Sequence, residues 1–344
     1  MTVLSLGTCA LGRAFDHDGV PLDGGAPLAG RRVGVALRVP RPNERAPVCR
    51  PFWTSVRVLD GLLTFGRGAR IGIFGSPGAG KSTLIESIVD GCVADAVVIA
   101  LIGERGREAQ RWIERRDART TIVCATSDRS PCERIRASTV AFAHAAALRE
   151  RGLHVLVVLD SLARVASALR ERATAAGESV GRAGYPPSVF SEMARFVEVA
   201  GPLAYGSMTL VATVLNDGDD RDPVSDAARA LLDGHLVLSD RLAREGRFPA
   251  IDVPSSASRT MPLVAREEHI RQAARVRAAI AWLDRMADAR ALGVEPVEAA
   301  AQAAVAGEER IEDFLRQRTP ALPTETLAAL ADLADTLEVS NGHQ

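Results

Sequence analysis

The residues best suited to chemistry form a short glycine-rich run that ends in a lysine and a hydroxyl side chain. Lys81 is the only lysine in the 344-residue chain. It lies in Gly75-Ser76-Pro77-Gly78-Ala79-Gly80-Lys81-Ser82, which fits the phosphate-binding pattern G-x4-G-K-[S/T]. A lysine ammonium is a compact charge on a flexible stem, and the planar guanidinium of arginine does not reproduce that shape. The run therefore predicts a nucleotide-binding protein that hydrolyses ATP.

A phosphate-binding loop needs a strand before it and a helix after it, and both patterns are present. The apolar run Arg70 to Phe74 predicts the entering strand, and Thr83 to Val89 predicts the departing helix. In that arrangement, backbone N–H groups and the N-terminus of the helix face the phosphates. We therefore expect residues 75–83, Thr83 included, to bind the nucleotide, with Lys81 on its outer phosphates.

Two carboxylates follow other apolar runs. Asp160 ends the run that starts at Val155, where P-loop ATPases carry a carboxylate that holds magnesium, usually through water. We expect Asp160 and the hydroxyl of Ser82 to hold Mg²⁺. Glu104 lies in the charged segment Gly103 to Glu108, after another apolar run. By itself, that segment fits equally well a residue that deprotonates the attacking water and a solvated turn with internal ion pairs.

A second unusual run extends from Phe248 to Arg259. Its small hydroxyl residues suit a close approach of the backbone to another group. Arg259 could reach a phosphate, although a single loop arginine is in most proteins a surface charge. The run therefore yields a candidate site without a definite role.

The rest of the chain predicts the elements that position these residues. Continuous apolar runs that alternate with helical patterns indicate an α/β fold with a mostly parallel sheet and helices on both faces. Beyond Pro262 the pattern is helical only, which predicts a small all-α domain. We expect a connecting segment over 1–50, an ATPase core over 51–262 and the helical domain over 263–344. The strand runs are 96–101, 121–125, 155–159, 208–215 and 235–238, and the helical runs are 107–116, 133–151, 188–199 and 224–232.

Composition narrows the class of protein. The formal net charge is -1, so no positive field indicates a nucleic-acid partner. The sequence has no apolar run of about 18 residues and no signal-peptide pattern, and we therefore expect a cytoplasmic protein. The 5 cysteines form no C-x-x-C pair and the 6 histidines have no ligand spacing, which predicts free thiols and no metal site built from these residues.

These segments together resemble the ATPases of type III protein secretion and flagellar export, relatives of the catalytic subunits of rotary ATP synthases. The resemblance extends from about Leu11 to about Leu337. The strings Gly-Glu-Arg-Gly-Arg-Glu and Gly-Tyr-Pro-Pro-Ser-Val-Phe favour the secretion branch. The matching segments are 11–13, 19–24, 58–63, the phosphate loop, 103–108, 125–128, 160–164, 184–190, 218–220, 232–235 and 249–258.

The resemblance implies a RecA-like P-loop core and a role for each candidate residue. By it, Glu104 activates the attacking water and Arg105 contacts a phosphate. Arg259 corresponds to an arginine finger that reaches the active site of the neighbouring subunit in a hexameric ring. Phe248 replaces the usual tyrosine, and an aromatic ring at that place would stack on adenine without needing the hydroxyl.

The resemblance also implies partners. We expect a homohexamer that is peripheral to the inner membrane through a secretion apparatus and that binds stalk and regulator proteins. Its C-terminal helices, from about Val264, would meet chaperone–substrate complexes, and no nucleic acid is expected. Family members carry an N-terminal β-barrel before the segment at Leu11, and only about ten residues precede that segment here, so most of the barrel is expected to be missing.

Two alternatives remain open at this point. The first is another hexameric motor with the same core, such as a rotary synthase subunit or an RNA-translocating, Rho-like protein. The second is an assembly subunit that binds nucleotide without hydrolysing it. The presence of Lys81, Ser82, Glu104, Asp160 and Arg259 in this sequence speaks against the second.

Overall fold

The computed structural model describes residues 3–30, 32–215 and 222–338, apart from the side chain of Arg182. The 218–220 segment of the resemblance therefore lies outside the described residues. The chain divides into two compact units and passes between them repeatedly. The first unit comprises Met1–Val48, Arg67–Gly75 and Ala94–His235, and the second comprises Cys49–Gly66, Ser76–Val93 and Leu236–Gln344. The predicted division at 50 and 262 stays a prediction.

The described chain contains 13 strands and 13 α-helices, and only helices follow the last strand. The strands are β1 Val3–Ser5, β2 Ala14–Asp16, β3 Arg32–Gly34, β4 Pro51–Phe52, β5 Phe65–Gly66, β6 Arg70–Gly75, β7 Ala96–Ile102, β8 Thr120–Ala125, β9 His154–Asp160, β10 Gly201–Pro202, β11 Ser207–Leu215, β12 Gly234–Leu238 and β13 Ile251–Ser258. The helices are α1 Arg57–Leu62, α2 Lys81–Gly91, α3 Gly106–Arg115, α4 Pro131–Arg149, α5 Leu162–Ala175, α6 Pro187–Glu198, α7 Pro223–Leu231, α8 Asp240–Arg244, α9 Met261–Val264, α10 Glu267–Ala291, α11 Ala299–Ala306, α12 Glu308–Leu315 and α13 Pro323–Thr336.

A parallel sheet forms the centre of the first unit. Its strands run in the order β6-β11-β9-β7-β8-β2, each parallel to its neighbours. Every residue of β7 is buried, as is every residue of β9 except the last. Parallel strands are covered on both faces, which explains why they appear in the sequence as continuous apolar runs. The predicted α/β fold with a mostly parallel sheet is confirmed.

The carboxyl ends of three parallel strands lie at one edge of this sheet. β6 ends at Gly75, β7 at Ile102 and β9 at Asp160. Leu101 of β7 pairs with Asp160, and Leu215 of the intervening β11 pairs with Gly75. Ligands bind outside the carboxyl ends of the strands in open α/β sheets. Asp160 and the segment after β7 therefore lie at the edge from which the phosphate loop departs.

The second unit combines the short β4–β5 pair, strand β13 and the helices that end the chain. Buried Asp60 organises α1, because its carboxylate accepts from the backbone N–H and the hydroxyl of Thr54 at 2.9 and 2.7 Å. Burial raises the pKa of Asp60 to about 6. The carbonyl of the next residue, Gly61, accepts from Nε2 of His269 at 2.7 Å, and a Cβ at Gly61 would lie 2.9 Å from Phe314. The segment 58–63 of the resemblance therefore packs α1 against α10 and α12.

Helix α5 and strand β13 are among the elements that the sequence patterns did not predict. Helix α5 follows β9 directly, and the hydroxyl of Ser161 caps it by accepting from the N–H of Arg164 at 3.2 Å. Strand β13 contains Pro254 and several serines, which have low strand propensity. Its register with β12 is supported by a hydrogen bond of 3.0 Å from the N–H of Val237 to Oγ of Ser256. Tertiary pairing overrides local propensity at such a position.

An ion pair joins the first two segments of the family resemblance, 11–13 and 19–24. Nε and Nη2 of Arg13 donate to the two carboxylate oxygens of Asp23 at 2.7 and 3.1 Å. The same carboxylate accepts from the N–H groups of Ala14 and Gly25 at 3.1 and 3.0 Å. The hydrogen bond from Arg13 is the largest influence that holds the pKa of Asp23 well below its usual range. Asp23 thus fixes the fold of this segment.

We expect Asp23→Asn to lower the free energy of unfolding by about 2 kcal/mol at neutral pH, because it weakens hydrogen bonds to a buried charged acceptor. The folded-state pKa lies below the unfolded value, so this stabilisation is present above the unfolded pKa and is lost as the pH falls toward the folded one. Urea unfolding from neutral to strongly acidic pH measures both effects. The control is Asp18→Asn, which removes a more exposed partner of Arg136 and should cost little. Equal losses in the two variants would contradict the prediction.

Candidate active site

The phosphate loop connects β6 to α2. Gly78 and Gly80 both have φ of 93°, in the left-handed region that favours glycine. A Cβ at either position would meet no other atom within 4 Å. The glycines are therefore required by the backbone conformation of the loop, and crowding plays no part. Gly80 is also the N-cap of α2, so the loop leads directly into the N-terminus of the helix.

Lys81 is the first residue of α2, and its side chain folds back over the loop. Its Nζ donates to the carbonyl oxygen of Ser76 at 2.6 Å. Oγ of Ser76 in turn donates to Oδ2 of Asp240 at 2.5 Å. Ser82 and Thr83 are exposed in the first turn of the helix. The first turn of α2 therefore presents two hydroxyls to solvent in the second unit, next to the half-buried Lys81.

An open cleft of about 180 Å³ lies beside the same helix. Gly80, Thr83 and Leu84 of the loop and helix line one part of it, and Phe248 lines another. The Phe248 side chain is 45% exposed, so a ring face is available to a ligand. The carbonyl of Phe248 accepts from the N–H of Gln317 at 2.7 Å, which fixes the segment that carries the ring. An aromatic wall next to a phosphate loop can bind a nucleotide base.

The segment 317–320 also lines this cleft, and the sequence patterns did not indicate it. Nε2 of Gln317 donates to the carbonyl of Ser55 at 2.7 Å, and its Oε1 accepts from the N–H of Arg57 at 2.7 Å. These partners lie about 260 positions away in the sequence. No local sequence pattern indicates contacts between segments so far apart, so only the folded chain shows that 317–320 lines the cleft.

We expect Phe248→Ala to raise the KM for ATP about tenfold, since stacking of a base on an aromatic ring contributes about 1–3 kcal/mol. The value of kcat should stay within about twofold, because the predicted contact of the ring is with the base and not with the reacting phosphate. Steady-state hydrolysis measures both constants. Phe248→Tyr is the matched control and should keep the wild-type KM. A kcat loss in Phe248→Ala without a change in KM would contradict the assigned contact.

The two candidate carboxylates, Glu104 and Asp160, lie in the first unit. Gly103, just after β7, has φ of 72°, and its N–H donates to the carbonyl of Ala125 at 2.7 Å, so it turns the chain sharply before Glu104. A Cβ at Gly103 would lie 3.1 Å from the Cβ of Arg164. Asp160 is held from β11, because the Thr213 hydroxyl donates to its Oδ1 at 2.6 Å. Both acidic side chains are thus positioned at the sheet edge by backbone geometry and neighbouring strands.

The environment of Glu104 changes its acidity. Burial raises its pKa to about 7, and the negative charges of Asp160 and Glu108 add to the effect, while Arg164 opposes it. A carboxylate whose pKa lies near the working pH is suited to general base catalysis. The structure thus favours the first of the two interpretations that the sequence left equal for this segment. Arg164 and Thr213 are contributors that the sequence patterns did not identify.

The two candidate arginines are exposed. Arg105 is the N-cap of α3, and Arg259 directly follows β13 in the second unit.

Among the described residues, no helix is both long and apolar enough to cross a membrane. The 5 cysteines all lie within the described ranges, and none of them forms a disulfide. In the same described ranges, no three His, Cys, Asp or Glu side chains are grouped to hold a metal ion.

The oxygen ligands present fit magnesium, which usually takes one or two protein oxygens and keeps water and phosphate as its other ligands. The exposed hydroxyl of Ser82 lies in the first turn of α2, and the carboxylate of Asp160 is anchored by Thr213. Both are hard donors, as that cation requires. The predicted ligand pair is therefore chemically suitable.

Comparison with known proteins agrees with these features. Residues 55–258 match the model of the ATP synthase alpha/beta family, nucleotide-binding domain. The Type 3 secretion system ATPase of Xanthomonas euvesicatoria is 42% identical over 341 residues, which cover 96% of this chain and 76% of the relative. The Flagellum-specific ATP synthase of Pseudomonas aeruginosa is 44% identical over 281 residues, 79% of this chain and 62% of that relative. The chain thus spans less than two thirds of the length of the second relative.

Solved structures show the same similarity. The assembled ATPase EscN of the type III secretion system of enteropathogenic E. coli superposes with a TM-score of 0.92 at 38% identity, covering 96% of this chain and 83% of that one. EscN has also been solved in complex with its central stalk EscO, with a TM-score of 0.90. These matches confirm the predicted fold class and ATPase assignment. The chain belongs to the ATP synthase alpha/beta family, in the branch of the type III secretion and flagellar export ATPases.

Proposed function

We propose that this chain hydrolyses ATP to drive protein export by a type III secretion or flagellar apparatus. The observation that carries the proposal is the position of Glu104. Its carboxylate has a pKa of about 7 beside Asp160 at the sheet edge from which the phosphate loop departs. A base at that edge, a phosphate loop and membership of an ATPase family together favour hydrolysis over simple nucleotide binding.

The binding roles follow from the groups present. The loop N–H groups of residues 75–83 and the Lys81 ammonium bind the phosphates. Phe248 stacks on adenine. Ser82 and Asp160 hold Mg²⁺, which neutralises charge on the phosphate oxygens when it is bound. Arg105 contacts a phosphate from the start of α3.

In the hydrolysis step, Glu104 accepts a proton from water while the water oxygen bonds to the γ-phosphorus. The bond from that phosphorus to the bridging oxygen breaks, and ADP and inorganic phosphate are formed. Arg259 of a neighbouring protomer stabilises the charge that develops on the phosphoryl oxygens. The proton on Glu104 then returns to solvent, which restores the carboxylate.

The partners are inferred from the family. The assembled EscN structure and its stalk complex support a homohexamer that binds a stalk protein. We assign chaperone–substrate complexes to the helices α10 to α13, and we place the ring at the cytoplasmic face of the apparatus. ATP would be used to release chaperones and unfold exported proteins. The low net charge of -1 argues against an RNA-translocating motor.

Release of phosphate from ATP by the purified chain tests this function. We expect magnesium-dependent hydrolysis, and we expect Lys81→Ala to lower the rate about 100-fold by removing charge-assisted bonds to phosphate. Lys81 is the only lysine, so acetylation of its side-chain amine also reports nucleotide occupancy. Bound ATP should protect this amine from the reagent. Nucleotide binding with no hydrolysis at any protein concentration would support an assembly subunit instead. Stimulation by RNA would support a Rho-like motor.

A further inference from the structure

The phosphate loop is held by a residue outside the proposed catalytic set. Asp240 is the first residue of α8, and its Oδ2 accepts from Oγ of Ser76 at 2.5 Å. The carbonyl oxygen of the same serine accepts from Nζ of Lys81 at 2.6 Å. Ser76 therefore links a carboxylate to the ammonium that must bind the nucleotide. All three residues lie in the second unit.

The charge of Asp240 opposes the function of the loop. Loop N–H groups, the Lys81 ammonium and the N-terminus of α2 all favour an anion. A carboxylate hydrogen-bonded to a loop residue repels that anion, and the repulsion depends on salt because the side chain is exposed. The Ser76 carbonyl also occupies one of the three N–H donors of the Lys81 ammonium. Both effects lower the affinity for nucleotide.

Contacts other than the loop fix the position of Asp240. The Ser239 hydroxyl caps α8 by accepting from the N–H of Leu242 at 3.4 Å. Arg241 forms an ion pair of 2.8 Å with Asp284 on α10 and one of 3.0 Å with Glu245, the C-cap residue of α8. The helix is thus anchored independently of any ligand, and the Asp240 charge stays beside the loop when a nucleotide arrives.

We propose that Asp240 is a positioning residue that weakens nucleotide binding. It holds Ser76 so that the serine carbonyl retains Lys81, and it places a negative charge beside the phosphates. The inference rests on the ATPase function proposed above. Its consequence is that ADP leaves the site more readily than it would from the same loop without this aspartate.

Four proteins test the inference: the wild type, Asp240→Asn, Ser76→Ala and Asp313→Asn. Asp240→Asn keeps a hydrogen-bond acceptor and removes the charge. We expect it to lower the Kd for ADP and the KM for ATP about threefold at about 0.05 M salt, with a smaller effect at about 0.5 M. Ser76→Ala removes the hydrogen bond and keeps the charge, so it should lower the Kd less and without salt dependence. Asp313→Asn makes the same change of charge at an exposed position on α12 and should leave Kd and KM unchanged.

The measurements are equilibrium binding of ADP and steady-state hydrolysis of ATP. Weaker or unchanged ADP binding in Asp240→Asn would overturn the inference, and so would an equal gain in Asp313→Asn. A loss of kcat at unchanged KM would show that Asp240 only supports the fold of the loop. If the wild type binds ADP but hydrolyses no ATP, the proposed function fails, while the ADP affinities still decide the role of Asp240.

Discussion

Arg259→Ala should lower kcat for ATP hydrolysis about 1000-fold or more, the effect expected of an arginine finger. The side chain is exposed just after β13, where it is accessible to a neighbouring molecule. A guanidinium that acts only on transition-state charge leaves ground-state binding almost unchanged. The Kd for ATP should therefore stay near the wild-type value in the same variant. Hydrolysis rates and equilibrium binding measure the two quantities.

A mixing experiment distinguishes a finger from a residue that acts within its own protomer. Lys81→Ala lacks the ammonium of the phosphate loop but keeps Arg259. Arg259→Ala keeps the intact loop but lacks the arginine. In a randomly mixed ring, about one quarter of the interfaces pair an intact loop with an intact arginine, so about a quarter of the wild-type activity should return. Co-assembly is checked with two fluorescent labels. Mixed rings without recovered activity would refute the assignment to a neighbouring subunit.

Glu104→Gln should lower kcat about 1000-fold, within the range observed for loss of a general base. Glutamine has nearly the same shape and cannot accept the proton, so ATP binding should persist. In the wild type, kcat should rise with pH through about 7, because only the carboxylate form of Glu104 acts as a base. Single-turnover hydrolysis across this pH range measures the profile. Glu108→Gln, which removes a nearby exposed charge, is the control and should keep most of the activity.

The same variant predicts a change in stability with a definite sign. The folded-state pKa of Glu104 lies above its unfolded value of 4.5, so ionisation destabilises the folded protein. Glu104→Gln removes that cost, and its melting temperature without nucleotide and magnesium should exceed that of the wild type above about pH 7. The difference should vanish below the unfolded pKa. A variant that is equally stabilised at acid and alkaline pH would show that the raised pKa is not the cause.

Part of the site could be predicted because its signals are local. The glycines, Lys81 and Ser82 are adjacent in the chain, and the backbone needs φ of 93° at Gly78 and Gly80, which only glycine adopts at low cost. Buried parallel strands likewise appear as apolar runs, so the sheet that ends at Asp160 was predictable. Helix α5 was missed because its cap at Ser161 lies directly after a strand, without the separating loop that marks an element boundary.

By itself, the sequence determined the nucleotide loop, the α/β fold class, the C-terminal helices and, through its motifs, the family. These properties depend on residues a few positions apart, and spacing records them. Only the tertiary structure decided that burial raises the pKa of Glu104, that Gln317 lines the cleft beside α2 and that Asp240 accepts a hydrogen bond from Ser76. Burial, long-range hydrogen bonds and charge proximity arise when distant segments pack together, and the order of residues along the chain does not encode those distances locally.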